Sequence, residues 1–309
     1  MTRVVDYFAG AGGFTLGAEL ARAEVVAAIN HWPLAVATHA TNHPRVEHAC
    51  EDLTRFDPRR LPDFDGLVAS PACQGHARAR GVAAGAEGDA RWDSSRATAW
   101  SVIDCAEVRR PRWIVVENVL DFQRWALLPS WLDALARLGY RARVQVCDAA
   151  RWGVPQERPR TIITAVRGRE APEVRAPEIA PTPIADVIDW SAGPWSDVGT
   201  KVAATRARVA RGRLDTGSDR FVMPYNGSGS GLTGRSLARP IGTITAADRW
   251  AVVDGDRMRM LSIPEMRAAM GFPVDYQLPP QRCHATQMLG NAIVPAVAAS
   301  AVRACMEAV

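Results

Sequence analysis

Arg3-Val4-Val5-Asp6-Tyr7-Phe8-Ala9-Gly10-Ala11-Gly12-Gly13-Phe14 is the stretch that decides the fold. An apolar run, a glycine-rich turn and an apolar helical pattern over residues 14–21 predict strand, loop and helix in immediate succession. The alternation continues outward. Residues 24–29 predict a second strand and residues 34–42 a second helix; Gly66-Leu67-Val68-Ala69 predicts a strand, residues 97–109 a helix and 113–116 a strand. A helix around 131–138 and strands at 144–146 and 161–165 complete the series, and this order predicts an α/β fold with a doubly wound, mostly parallel sheet.

The glycines after the first strand would let a ligand approach backbone amides at a helix N-terminus. Their spacing is neither the dinucleotide Gly-x-Gly-x-x-Gly nor the phosphate-loop pattern, since position 15 is Thr and no Gly-Lys-Ser/Thr follows. A tight strand-to-helix turn without a ligand is the alternative. At the end of the second strand, where a ribose-binding site commonly carries a carboxylate, stand Asn30, His31 and Trp32. Asn30 can hydrogen-bond a hydroxyl, and His31 or Trp32 can stack on a base or simply pack. Asp52, in Cys50-Glu51-Asp52-Leu53, is either an acceptor for an exocyclic amine or a local cap.

The 309 residues, 48% hydrophobic and 23% charged, suit a large core with a second, smaller domain and exclude disorder as the main state. Net charge is +4, and Lys201 is the sole lysine among 37 basic residues. Arginine suits phosphate and base-edge contacts, although it also follows genome composition. The six cysteines, at 50, 73, 105, 147, 283 and 305, form no Cys-x-x-Cys pair, so neither a metal site nor a disulfide framework is expected. A reduced cytoplasmic setting, no membrane span and no targeting segment follow as expectations. Prolines 172, 177, 181 and 183, and later Asn226-Gly227-Ser228-Gly229-Ser230-Gly231, mark a change of character. The expected division is a catalytic and ligand-binding domain over 1–166 completed by 283–309, and an irregular smaller domain over 167–282 holding Arg206, Arg208, Arg211 and Arg213.

Cys73 follows the strand at 66–69 in Ser70-Pro71-Ala72-Cys73-Gln74-Gly75, Glu117 follows the strand at 113–116, and Arg158 and Arg160 precede the one at 161–165. A thiol, a carboxylate and paired guanidiniums at strand ends are what nucleophilic attack on an electron-poor ring requires. Together with Phe8-Ala9-Gly10-Ala11-Gly12-Gly13, Glu117-Asn118-Val119, Gln156-x-Arg158-x-Arg160, Arg239-Pro240-Ile241-Gly242-Thr243-Ile244-Thr245, Met270-Gly271-Phe272-Pro273 and Gln287-Met288-Leu289-Gly290-Asn291-Ala292, these residues occur in the order seen in cytosine-5 DNA methyltransferases. The resemblance spans nearly the whole chain. Each motif is weak alone; the ordered set is specific.

The resemblance implies a Rossmann-like methyltransferase sheet and a target-recognition domain in 167–282. It implies S-adenosylmethionine held by Phe8, Ala9, Gly10, Gly12, Gly13, Asn30, His31, Asp52, Leu53, Asn291 and Ala292, with no metal. It further implies that Cys73 adds to carbon 6 of a cytosine extruded from double-stranded DNA. Glu117 would then hydrogen-bond ring nitrogen 3, Arg160 the exocyclic oxygen or a phosphate, Arg158 would support Arg160, and Asn118 would orient the Glu117 loop. The Gly- and Arg-rich stretch from Gly75 through Arg91 and Arg96 would close over the phosphates. A monomer acting on DNA in the cytoplasm, at the nucleoid, is expected, with a restriction endonuclease counterpart compatible but not physically required. Two departures stand out: Ala72 where the family usually has proline, and Asn30 where it usually has an acid. A tRNA methyltransferase of the same architecture, or a relative using a modified donor, is the competing reading.

Overall fold

The glycine-rich stretch joins β1 (Arg3–Tyr7) to α1 (Gly13–Leu20). The computed structural model describes residues 1–72, 98–225, 234–247 and 249–309. After α1 come β2 (Glu24–Asn30), α2 (Pro33–Asn42), β3 (Glu47–Cys50) and β4 (Gly66–Ala69). Then follow α3 (Trp100–Arg109), β5 (Trp113–Asn118), α4 (Leu128–Arg137), β6 (Tyr140–Asp148) and β7 (Pro159–Arg167).

These strands form one seven-stranded sheet in the order β3-β2-β1-β4-β5-β7-β6. The first five are parallel, as each β-α-β crossover requires. Strand order reverses between β1 and β4, the kind of switch point at which α/β sheets bind ligands, and the glycine loop and the 70–72 turn emerge from the C-terminal ends of those two strands. β5 is buried along its length, and Trp131 and Tyr140 lie in the core with polar atoms satisfied: Trp131 Nε1 donates to Ala99 O at 2.9 Å, and Tyr140 OH to Pro111 O at 2.6 Å.

The sheet is mostly parallel, as expected, but not wholly so: β7 runs antiparallel to both β5 and β6. Apolar runs mark burial but not direction.

The contacts divide the chain into two compact units, and not at 166/167. One comprises Met1–Asp148, Pro159–Pro177 and Ala292–Val309; the other comprises Ala149–Arg158 and Glu178–Asn291. Residues 149–158 join the second unit because Gln156 bridges Ile241, with Ile241 N donating to Pro155 O at 2.8 Å and Glu157 N to Ile241 O at 2.7 Å.

The second unit is more regular than the sequence suggests. β8 (Ser196–Asp197), β9 (Arg220–Pro224), β10 (Arg235–Ser236), β11 (Trp250–Asp254) and β12 (Arg257–Met260) form an antiparallel five-stranded sheet ordered β10-β9-β11-β12-β8. α5 (Ala203–Thr216) precedes β9, while α6 (Ile263–Ala269) and α7 (Arg282–Asn291) follow β12. The short strands are held by a core of Val209, Phe221, Met223, Ala251, Val253 and Met258.

α8 (Pro295–Glu307) returns the chain to the first unit, where it packs on α1. The stretch Arg282–Glu307 is apolar enough in composition to resemble a membrane span, but it breaks at residues 292–294 and is mostly buried.

Candidate active site

The glycine loop owes its shape to left-handed backbone. Gly10 (φ 53) and Gly12 (φ 83) adopt it freely, and Phe8 (φ 62) adopts it at a cost, as strained residues do beside ligand sites. Ala9 N donates to Ile29 O at 3.2 Å and Gly12 N to Ala9 O at 2.8 Å, so the turn is pinned to β2 and to itself. Among the described residues a Cβ on Gly10 would meet only Phe8 O, at 3.6 Å, which suits a ligand cradle. Gly13 differs: its Cβ would lie 2.3 Å from Ile293 O, so its bareness serves the close approach of the chain just after Asn291 and Ala292.

Half-exposed Phe8, Ala9, Asn30 and Trp32 and exposed His31 and Asp52 line the C-terminal edge of β1, β2 and β3. Asn30 Oδ1 accepts from Trp32 N at 2.9 Å, which fixes the side chain and spends its acceptor locally. Asp52 Oδ1 accepts from Thr54 N at 2.9 Å and Oγ1 at 2.8 Å; these bonds, first among the causes, hold its carboxyl below the usual range, with His31 contributing. Leu53, the next residue, is 4% exposed and packs within the main core. Asn291 and Ala292 fall at the end of α7 and just beyond it, in different units.

At the ends of β4 and β5 the picture is more concentrated. Parallel pairing sets Ala69 beside Val116, so the 70–72 turn and Glu117-Asn118 emerge together. Glu117 is 4% exposed and pairs with Arg160 through Nε to Oε1 at 3.2 Å. Arg160 is brought there by β7, which places Thr161 opposite Asn118. Buried Asn118 donates from Nδ2 to Pro71 O at 3.2 Å and accepts at Oδ1 from Val119 N at 2.9 Å. It therefore holds the 70–72 turn as well as its own loop.

Arg158 has another occupation. Its guanidinium, 2% exposed, donates to Ile244 O and Gly290 O, each at 2.7 Å, inside the second unit. Gln156 works alongside, donating to Ala269 O at 3.1 Å and accepting from Ile244 N at 2.8 Å. Arg158 through Ile244 O and Gln156 through Ile244 N both tie the 241–245 segment down. Cys73 and the loop from Gly75 to Arg96 lie outside the described residues, as does the Gly/Ser stretch 226–231.

A loop and two strand ends carrying this set, in this order, agree with the comparison to known families: the model for C-5 cytosine-specific DNA methylase matches residues 2–307. The chain belongs to that family. Among its relatives, the type II methyltransferase M.NlaX of Neisseria lactamica is 26% identical over 100% of this chain and 98% of its own length. M.BsuFI of Bacillus subtilis is 26% identical over 96% of this chain and 71% of its own. M.DdeI of Desulfomicrobium norvegicum is 28% identical over 53% of this chain, and the chain spans only 40% of its length. Among solved structures, the S. pombe Dnmt2 methyltransferase superposes with a TM-score of 0.73 at 16% identity, covering 99% of each chain, which shows a shared Rossmann-like methyltransferase fold. Among the described residues no cluster of three or more His, Cys, Asp or Glu is arranged to hold a metal.

Proposed function

We propose that the chain transfers a methyl group to carbon 5 of a cytosine in double-stranded DNA, through a covalent adduct between Cys73 and carbon 6. The observation that carries this reading is the buried Glu117–Arg160 pair beside the turn that leads into Cys73. Burial with an ionic partner keeps the two groups in one geometry and excludes water from a site where charge on the ring must be relieved. S-adenosylmethionine, when bound, supplies the electrophilic methyl; the cradle at Gly10 and the stacking and polar edge of Phe8, Asn30, His31, Trp32 and Asp52 fit a nucleoside of that kind.

The Cys73 thiolate adds to carbon 6 and the electron pair moves to carbon 5, which becomes nucleophilic. Glu117 hydrogen-bonds ring nitrogen 3 and Arg160 the exocyclic oxygen, stabilising the charge that addition creates. After methylation the carbon 5 proton leaves to a base, and the sulfur–carbon bond breaks to return the thiolate. The target cytosine must be extruded from the duplex for any of this. Residues 149–158 and 178–291 form the unit we assign to target recognition. Cytoplasmic action on chromosomal DNA, without a metal and as a monomer, completes the proposal. The family model and the type II relatives favour DNA over the tRNA alternative.

The test is labelled methyl transfer to duplex DNA, single-stranded DNA and tRNA, together with trapping on a duplex carrying 5-fluorocytosine. Label and a denaturation-stable adduct are expected on duplex DNA, with the adduct absent in Cys73→Ser. Label confined to tRNA, or an adduct that persists in Cys73→Ser, overturns the proposal.

A further inference from the structure

The turn that delivers the chain to Cys73 is held from two sides. Asn118, from β5, donates to Pro71 O at 3.2 Å. On the other side Ala72 N–H donates to the Thr98 hydroxyl oxygen at 3.1 Å. Thr98 is itself anchored at the start of α3: its carbonyl accepts from Ser101 N at 3.2 Å and from Ser101 Oγ at 2.8 Å. Ser70 N donates to Tyr7 O at 3.2 Å, extending the β1–β4 ladder one residue further. The backbone is therefore clamped at residues 70, 71 and 72 in succession, and all these groups belong to one unit.

The clamp at 72 exists because residue 72 is not proline. A proline has no N–H to give and fixes its own φ near −65°, so it stiffens a turn without outside help. Alanine leaves φ free and gains a donor, and Thr98 takes that donor up. We infer that Thr98 is a positioning residue for the nucleophile: through the Ala72 N–H it supplies from outside the turn the rigidity that a proline would supply from within. The inference rests on the reading of Cys73 as nucleophile. A thiolate must sit in line with carbon 6 at near-attack distance, and a misplacement of about 1 Å costs on the order of a hundredfold in rate. A single backbone tether one residue before the sulfur-bearing position has that leverage.

The experiment is a cycle on Thr98 and Ala72 read by single-turnover adduct formation on a 5-fluorocytosine duplex and by steady-state methyl transfer. Thr98→Val, nearly isosteric and without the acceptor, is expected to slow adduct formation and kcat by roughly three- to tenfold, the worth of one hydrogen bond, with KM for donor and DNA unchanged. Thr98→Ser should recover the wild-type rate to within about twofold, since it restores the acceptor. In an Ala72→Pro background, where no N–H remains, Thr98→Val should change the rate less than about twofold. An equal slowing by Thr98→Val in both backgrounds, a rise in KM in place of the fall in kcat, or a wild-type rate in Thr98→Val each overturns the tether. If Ala72→Pro does not fold, the comparison of Thr98→Val with Thr98→Ser decides alone. An adduct surviving in Cys73→Ser refutes the underlying reading instead, so the two failures are told apart.

Discussion

Asp6 is the most unusual single residue outside the proposed chemistry. It is fully buried near the end of β1, where Oδ2 accepts from Thr15 Oγ1 at 2.8 Å and Oδ1 is enclosed without a hydrogen-bond partner among the described residues. The chain of contacts goes on: Thr15 Oγ1 lies 3.0 Å from His39 Nε2, and His39 Nδ1 lies 2.8 Å from His48 Nε2. Since Thr15 has one proton and gives it to Asp6, His39 must donate from Nε2 and accept at Nδ1. Burial pushes the Asp6 carboxyl up to about 7 and drives the His39 imidazole well below its usual range, with the neighbouring His43 and His48 adding to the latter. His43 in turn lies 2.9 Å from Glu19, the remaining charged group of this cluster. The signs oppose. Folded Asp6 keeps a proton that the unfolded chain releases, so its contribution is full below pH 4 and is lost as pH rises through 7. His39 refuses a proton that the unfolded chain accepts, so its contribution is lost as pH falls below 6.5. Asp6→Asn keeps an acceptor for Thr15 and removes the ionisation. Its Tm relative to wild type should therefore rise by roughly 5 °C or more between pH 5 and pH 8, a few kcal/mol of linkage spread over a two-unit protein. A difference that stays constant across that range, in thermal melts at fixed ionic strength, would show that Asp6 does not titrate there.

At the scale of elements, α1 shows how geometry outweighs propensity. Gly17 sits in mid-helix, where alanine would ordinarily gain about 1 kcal/mol. A Cβ there would lie 2.4 Å from the Ala298 Cβ and 2.8 Å from Pro295 O on α8. Overpacking of that kind costs about 1–3 kcal/mol and cannot relax by moving a flexible tip, since one neighbour is backbone. Gly17→Ala should lower Tm by several degrees, and a variant as stable as wild type would mean that α1 and α8 are not in this close packing. The strands and helices of the first unit were legible because each joins a run of apolar residues to a turn signal, from Val4-Val5 to Ile162-Ile163. The antiparallel direction of β7 was not, because a buried strand reads the same in either sense. The sheet of the second unit carried one readable sign, Asp254-Gly255-Asp256-Arg257, where Gly255 (φ 56) opens a two-residue hairpin turn between β11 and β12. The arginines of α5 could be read in sequence only as a cluster; in the fold Arg208 donates to Pro224 O and Tyr225 O, and Arg213 to Gly255 O and Asp256. A guanidinium looks alike in sequence whether it waits for a ligand or closes a loop. So it is with Arg158 and Arg160, two residues apart, of which only the second meets Glu117.

For the whole molecule the decisive feature is that chain order and spatial order differ. The first unit is assembled from three separated segments, and the last of them, residues 292–309, is contributed after the chain has completed the second unit. α8 buries Pro295, Val297, Ala298, Ala299, Ala301, Val302 and Cys305, and it packs on α1, β5 and β7, the elements that carry the glycine loop, Glu117 and Arg160. Removing it would expose this face together with its counterpart, at about 0.8 kcal/mol per buried methylene, against a total stability of about 5–15 kcal/mol for a typical domain. A chain ending at residue 291 should therefore lose cooperative thermal unfolding and become sensitive to limited proteolysis within residues 1–148, although every proposed catalytic side chain is still present. Supplying residues 292–309 as a separate peptide should restore protection in a concentration-dependent way, because the missing piece is a docking helix and not a folding template. If the shortened chain melts as sharply as the full one, α8 is an appendage, and the close approaches at Gly13 and Gly17 no longer explain why those two positions are bare.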